Sequence, residues 1–200
     1  MKIGLIDVDG HRFPNLPLMK LSAWHKRQGD AVDWYDPLTA WRNPLDRVYM
    51  SKVFPHTPDY PHPVCAQEII RGGTGYYYPS GGNALPKEVE RIYPDYSLYP
   101  EFCRDTAYGF LTRGCPRGCG FCIVGQKEGR RSKKVADLNE FWRGQKNIKL
   151  LDPNAFACPD WRELSEQLID SRAWIDFTQG CDIRIITPEM TEMIKRMRIK

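Results

Sequence analysis

Long hydrophobic runs are missing from this 200-residue chain. A helix that crosses a bilayer needs about 18 or more consecutive apolar residues, and no segment supplies them, so a helical membrane span is excluded. The opening Met1-Lys-Ile-Gly-Leu-Ile-Asp-Val-Asp9 puts acidic residues straight after a short apolar run, which reads against a secretory signal. An even cysteine count is missing too. There are seven, three of them within eight positions, which argues against a disulfide framework and for a reducing, cytoplasmic compartment. Histidine is scarce: the four (11, 25, 56 and 62) all lie in the first 62 residues. Strong charge of one sign is absent, and a net charge of +4 names no partner. There is no internal repeat and no low-complexity tract.

What is present is a chain with 42% hydrophobic residues, enough to bury the core of one or two small domains. Twelve per cent aromatics and 16 prolines suggest well-packed elements joined by stiff loops. Lys2 to Val8 reads as a strand buried on both faces. Leu16 to Gly29 follows as a helix with Gly29 at its end. Ala31 to Tyr35 and Arg47 to Phe54 return as strands, and Gln67 to Ile70 leads into a turn at Gly72-Gly73. Strands alternating with helices predict an open parallel α/β sheet. Residues 55–63 read as a rigid loop, and the Gly-, Pro- and Tyr-rich stretch 76–100 as an ordered linker.

The second half repeats the alternation. Strands are predicted over Ala107 to Thr112, Asn147 to Leu151, Ala173 to Thr178 and Asp182 to Ile186. Helices are predicted over Ala136 to Arg143 and Asp160 to Arg172, and from Pro188 onward with Thr187 as N-cap. These make three strand-first βα units with ligand-type residues at the carboxyl ends of the strands, where α/β barrels place their chemistry. The expected fold class is therefore α/β: residues 1–100 a Rossmann-like parallel sheet with its linker, residues 101–200 part of a (βα) barrel.

Chemistry concentrates in Cys115-Pro-Arg-Gly-Cys119-Gly-Phe-Cys122. Three thiolates on one short loop can hold three irons of a cubane cluster and leave the fourth iron open. A structural zinc site wants four ligands, commonly as two pairs, and there is no second C-x2-C here. A plain electron-transfer cluster wants a fourth cysteine ligand as well. Cys103, Cys158 or Cys181 would serve only by folding back onto the loop. A zinc site, a non-catalytic iron–sulfur module and unligated structural cysteines remain the alternatives.

The C-x3-C-x2-C spacing, with an aromatic directly before the last cysteine, resembles the signature loop of radical S-adenosylmethionine (SAM) enzymes. That resemblance implies a 4Fe-4S cluster on Cys115, Cys119 and Cys122, with SAM bound at the open iron and cleaved reductively to a 5′-deoxyadenosyl radical that abstracts hydrogen from a substrate. It implies that Phe121 packs near the adenine, and that a reducing donor such as a flavodoxin or ferredoxin supplies the electron. Where the family carries a Gly-Gly-Glu-like stretch for the SAM amine, this chain has Leu150-Leu-Asp-Pro-Asn154, with Asp152 in reach of that role. Asp182 and Arg184, read as alternating on one face of a strand, are expected to contact the SAM ribose or carboxylate, the alternative being a surface salt bridge between the two. The family's core generally has about six βα units, so the resemblance also implies the front portion of a longer or split product, and an inactive fragment is a further alternative.

Asp9-Gly-His11-Arg-Phe-Pro14 stands where cobalamin-binding domains carry D-x-H-x-x-G, followed by Ser51-Lys-Val53 and Gly72-Gly73 in the order of that family's later motifs. The resemblance implies a cobalt-ligating His11 oriented by Asp9, with cobalamin as a possible further cofactor. Pro14 and Val53 depart from the pattern. Finally, Lys127-Glu-Gly-Arg-Arg-Ser-Lys-Lys134 sets five cations beside the cysteine loop. Such a run suits nucleic-acid phosphates or a solvated loop.

Overall fold

The computed structural model describes residues 1–200 and is mixed α/β, with two four-stranded, all-parallel sheets. The chain divides into two compact units, Met1–Tyr99 and Pro100–Lys200.

In the first unit the elements run β1 (Lys2–Asp7), α1 (Leu16–Arg27), β2 (Ala31–Trp34), α2 (Pro37–Arg42), β3 (Leu45–Ser51), β4 (Ala66–Gly72) and the short α3 (Lys87–Glu90). Strand order is β2-β1-β3-β4. Side chains alternate across a strand, so Ile3 and Leu5 face one way and meet Leu18 and Leu21 of α1, Tyr49 and Val89. Ile6 faces the other way, with Val48, Met50, Tyr35 and Ala40 of α2. The sheet is thus covered on both faces. α1 starts where Asn15 accepts a hydrogen bond from the Leu18 N–H at 3.3 Å and stops before Gly29 at φ 82°.

The stretch 76–100, expected to be a linker, belongs to this unit as far as Tyr99. Val89, Ile92 and Tyr99 are buried, and the α3 residue Glu90 is tied to Lys20 of α1. The aromatic and aliphatic residues among its glycines and prolines supply the reason: once buried, they anchor the segment.

The second unit continues with α4 (Pro100–Cys103), β5 (Thr106–Gly109), β6 (Thr112–Arg113), α5 (Val124–Lys127), β7 (Lys133–Lys134), β8 (Asn147–Leu150), α6 (Trp161–Ser171), β9 (Trp174–Phe177), α7 (Pro188–Arg196) and β10 (Arg198–Ile199). Sheet order is β10-β9-β8-β5, each strand beside its neighbour in sequence among the parallel strands. Ala107, Ile148, Leu150 and Ile175 are fully buried in it, and α6 and α7 turn Leu164, Leu168, Met190 and Met193 inward.

Three sequence expectations change here. The strand predicted over 107–112 is two pieces, β5 and β6, because the chain bends at Phe110-Leu111. The helix predicted over 136–143 is a single 3-10 turn at Leu138–Glu140, closed by a reciprocal cap in which Glu140 accepts from the Asp137 N–H at 2.9 Å. The strand predicted over 182–186 is a 3-10 turn at Ile183–Ile185, nucleated by Asp182, whose carboxylate accepts the Arg184 N–H at 3.3 Å.

Candidate metal-cluster site

All strands of the second sheet are parallel, so the loops leaving β5, β8 and β9 emerge on one edge. The cysteine loop follows β5, Asp152 and Asn154 follow β8, and Asp182 and Arg184 follow β9.

The cysteine loop is a hairpin excursion. It leaves through β6 and returns through β7, with Thr112 paired to Lys134 and Arg113 to Lys133. Glu128 clamps its base, accepting from the Gly114 N–H and from Arg113 Nη1, both at 3.1 Å. The Cys115 N–H reaches the Gly129 carbonyl at 3.2 Å. Gly114 is required at this crossing: its φ is +87°, and a Cβ there would lie 2.1 Å from the Arg131 carbonyl oxygen. Further out, the Cys122 N–H donates to the Cys119 carbonyl at 3.0 Å, so these two cysteines end one tight turn.

Cys115 is half-buried, Cys119 and Cys122 are exposed, and all seven cysteines are free thiols. No three Cys, His, Asp or Glu side chains are gathered closely enough to hold a metal ion. The donor set nevertheless suits a three-thiolate cluster: three thiols on one loop, none spent on a disulfide, with open space at the Cβ position of Gly120 between the last two. Of the remaining cysteines, Cys103 is buried, and burial pushes its thiol up to about 12. Cys158 is also buried, its thiol raised by the same cause.

Asp182 joins the cysteine loop to the loop after β9. Its Oδ1 accepts from Arg184 Nε at 2.7 Å and its Oδ2 from Arg117 Nε at 2.5 Å. Arg184 first, then Arg117, hold the Asp182 carboxyl well below the usual carboxylate range. The Arg184 guanidinium is raised in turn by Asp182 and lies within electrostatic reach of Cys119 and Cys115. Asp182 and Arg184, expected side by side on a strand face as contacts to SAM, lie instead on a turn and pair with each other, and Arg117 is the member that the sequence reading missed. Its position inside the C-x3-C segment was the available signal.

Asp152 is buried and faces away from solvent. It accepts from the Leu111 N–H at 3.1 Å and from the Thr112 N–H and hydroxyl at 2.5 and 2.7 Å. Burial pushes its carboxyl up to about 6 against these three hydrogen bonds. Expected among the cofactor contacts, Asp152 is instead spent on fixing the bend between β5 and β6, where it satisfies the buried Leu111 and Thr112 N–H groups. Asn154, also missed, is the polar residue of this loop that turns to the cysteines: its Nδ2 donates to Cys115 Sγ at 3.6 Å. Phe121 stands 93% exposed.

The basic run folds back as the second arm of the hairpin. Lys134 is neutralised by Asp137 and Glu163, each at 2.7 Å.

In the first unit the order β2-β1-β3-β4 reverses between β1 and β3, the kind of switch point at which open parallel sheets commonly bind ligands. Asp7, Asp9 and His11 leave β1 at this point. The expected Asp9–His11 pair does not form. Asp9 accepts from the Val53 N–H at 2.5 Å, the Phe54 N–H at 3.3 Å and Thr57 Oγ1 at 2.6 Å, so it holds the loop after β3. His11 is exposed, with its ring 4.0 Å from that of Trp34 and 5.9 Å from that of Tyr99. A cobalt-ligating imidazole oriented by a carboxylate does not fit this arrangement. Asp7 is buried, takes a 2.6 Å hydrogen bond from the Tyr99 hydroxyl and is raised by its burial.

Comparison with protein-family models gives no match. Comparison with curated proteins gives no match either.

Proposed function

We propose that this chain is a radical SAM protein whose second unit is part of a (βα) barrel, preceded by a Rossmann-like first unit. The observation that carries the reading is the Cys115-x3-Cys119-x2-Cys122 hairpin, placed at the carboxyl end of the first strand of a parallel sheet whose strands follow one another in sequence order. Sequential order is the order of barrel strands, and the carboxyl edge is where barrels carry their chemistry.

In this reading Cys115, Cys119 and Cys122 hold a 4Fe-4S cluster, which when bound supplies the electron for reductive cleavage of SAM. The chain's own part is positioning. Glu128 and Gly114 fix the loop base, Asp152 fixes the bend beneath it, and the Arg117–Asp182–Arg184 group offers fixed charge to the polar end of SAM. Phe121 is free to close over an adenine. A reduced flavodoxin or ferredoxin is the natural electron donor. Cobalamin has no part in the proposal, since Asp9 is engaged with the loop after β3 and does not orient His11.

The test is anaerobic reconstitution with iron and sulfide, followed by SAM and dithionite, with 5′-deoxyadenosine as the readout. Product that disappears in Cys119→Ala and persists in Cys181→Ala supports the proposal. Tightly bound zinc without a cluster, or a cluster that survives Cys119→Ala, overturns it.

A further inference from the structure

Resting on that cluster reading, we propose that Asn154 is a positioning residue that sets the cluster's reduction potential by donating a hydrogen bond from Nδ2 to the sulfur of Cys115. The contact is 3.6 Å, a normal separation for a sulfur acceptor. Asn154 is 3% exposed, so water does not screen the amide dipole.

Its backbone is fixed from several sides. Pro153 precedes it, a 3-10 turn at Ala155–Ala157 follows, and its carbonyl accepts from Ser132 Oγ at 3.0 Å and from the Ala157 N–H at 3.3 Å. Ser132 lies on the returning arm of the cysteine hairpin, so the amide and the sulfur are held to one frame.

The other half of the amide sharpens the argument. Asn154 Oδ1 is buried and has no hydrogen-bond partner. A buried amide with an orphaned oxygen is a poor choice for packing alone, where an apolar side chain avoids the desolvation cost. The side chain's one polar contact is the sulfur. An N–H dipole aimed at a cluster sulfur stabilises the form that carries the extra electron, so it raises the potential and eases reduction.

The experiment reconstitutes wild type, Asn154→Ala, Asn154→Asp and Ser132→Ala anaerobically. Iron and sulfide per chain are measured first, and the midpoint potential is then read by titration with electron paramagnetic resonance of the reduced cluster. Asn154→Ala is expected to lower the midpoint. Asn154→Asp is expected to lower it further, because a carboxylate beside the sulfur opposes the added electron. Ser132→Ala, which removes one backbone anchor but keeps the amide and the Ala157 contact, is expected to shift the midpoint by much less than Asn154→Ala. If Asn154→Ala loses the cluster, Asn154→Asp, which preserves shape, carries the test. An unchanged midpoint in the Asn154 variants, or an equal shift in Ser132→Ala, overturns the inference while leaving the cluster reading intact. A wild type that takes up no iron overturns the cluster reading itself, and the inference with it.

Discussion

Thr112 gives both its backbone N–H and its hydroxyl to Oδ1 of Asp152, at 2.5 and 2.7 Å. The residue that starts the cysteine hairpin is thereby fixed to the loop of the next parallel strand, 40 positions on. Asp152→Ala leaves the Leu111 and Thr112 N–H groups buried without acceptors, at a cost on the order of 2–4 kcal/mol. The carboxyl also imposes a pH dependence. Its folded value of about 6 exceeds the ordinary 3.8, so the folded state keeps a proton that the unfolded state has released. Stability from this group is therefore full below pH 4 and falls as pH rises towards 6, by about 3 kcal/mol at most. Urea midpoints from pH 4 to 7 should decline in this window for wild type and more weakly for the alanine variant. Parallel curves would show that Asp152 does not titrate in this way.

Gly114 is the second point at which the loop is vulnerable. An added methyl group meets the Arg131 carbonyl, and a positive φ costs an L-residue about 1–3 kcal/mol. Gly114→Ala should keep its far-ultraviolet circular dichroism, melt several degrees lower and take up less than half the wild-type iron on reconstitution. Full iron uptake would show that the loop base tolerates displacement.

Much of this architecture is legible in the sequence, and the misses have physical causes. Apolar runs such as Ile3–Ile6 mark strands because both faces of the sheet are covered. Gly29, Thr187 and Pro188 mark helix ends because their chemistry is local. The Asp182–Ile186 segment misleads because Ile-Arg-Ile-Ile imitates strand alternation, while the deciding event is Asp182 capping its own backbone. Val89 could not be recognised as core from its context, since what buries it includes Leu18 and Leu21 of α1, some 70 positions earlier. Arg117 and Asn154 were missed for the same reason: their partners, Asp182 and Cys115, are distant in sequence and meet only because three loops share one sheet edge.

The first unit offers a contrast between two neighbouring residues. Asp9 holds three donors of the loop after β3, whereas His11 lies exposed against Trp34. Asp9→Ala should therefore lower stability by on the order of 1–3 kcal/mol in urea titrations, and His11→Ala by well under that. Added hydroxocobalamin should give the same absorption spectrum with wild type and His11→Ala. A His11-dependent spectral change would restore the cobalt-ligand role that the geometry speaks against.

Asp182 binds two guanidinium groups with opposite oxygens, so removing it releases both at once. If Arg117 and Arg184 are presented to SAM as a pair, Asp182→Ala should weaken SAM binding at least tenfold. Iron content should not change, because none of the three thiols depends on Asp182 for a bond. Arg184→Ala on top of Asp182→Ala should add less than it does alone, since coupled neighbours are not additive. The sign of the pH effect follows from the lowered carboxyl. Its contribution is present above the ordinary carboxylate value and is lost only as pH falls through the depressed one, so it stays constant from pH 5.5 to 8. Calorimetric titration of SAM into the reconstituted variants reads all of this. Additive losses, or a wild-type to Asp182→Ala affinity ratio that changes across that pH range, would show that the two arginines do not act through Asp182.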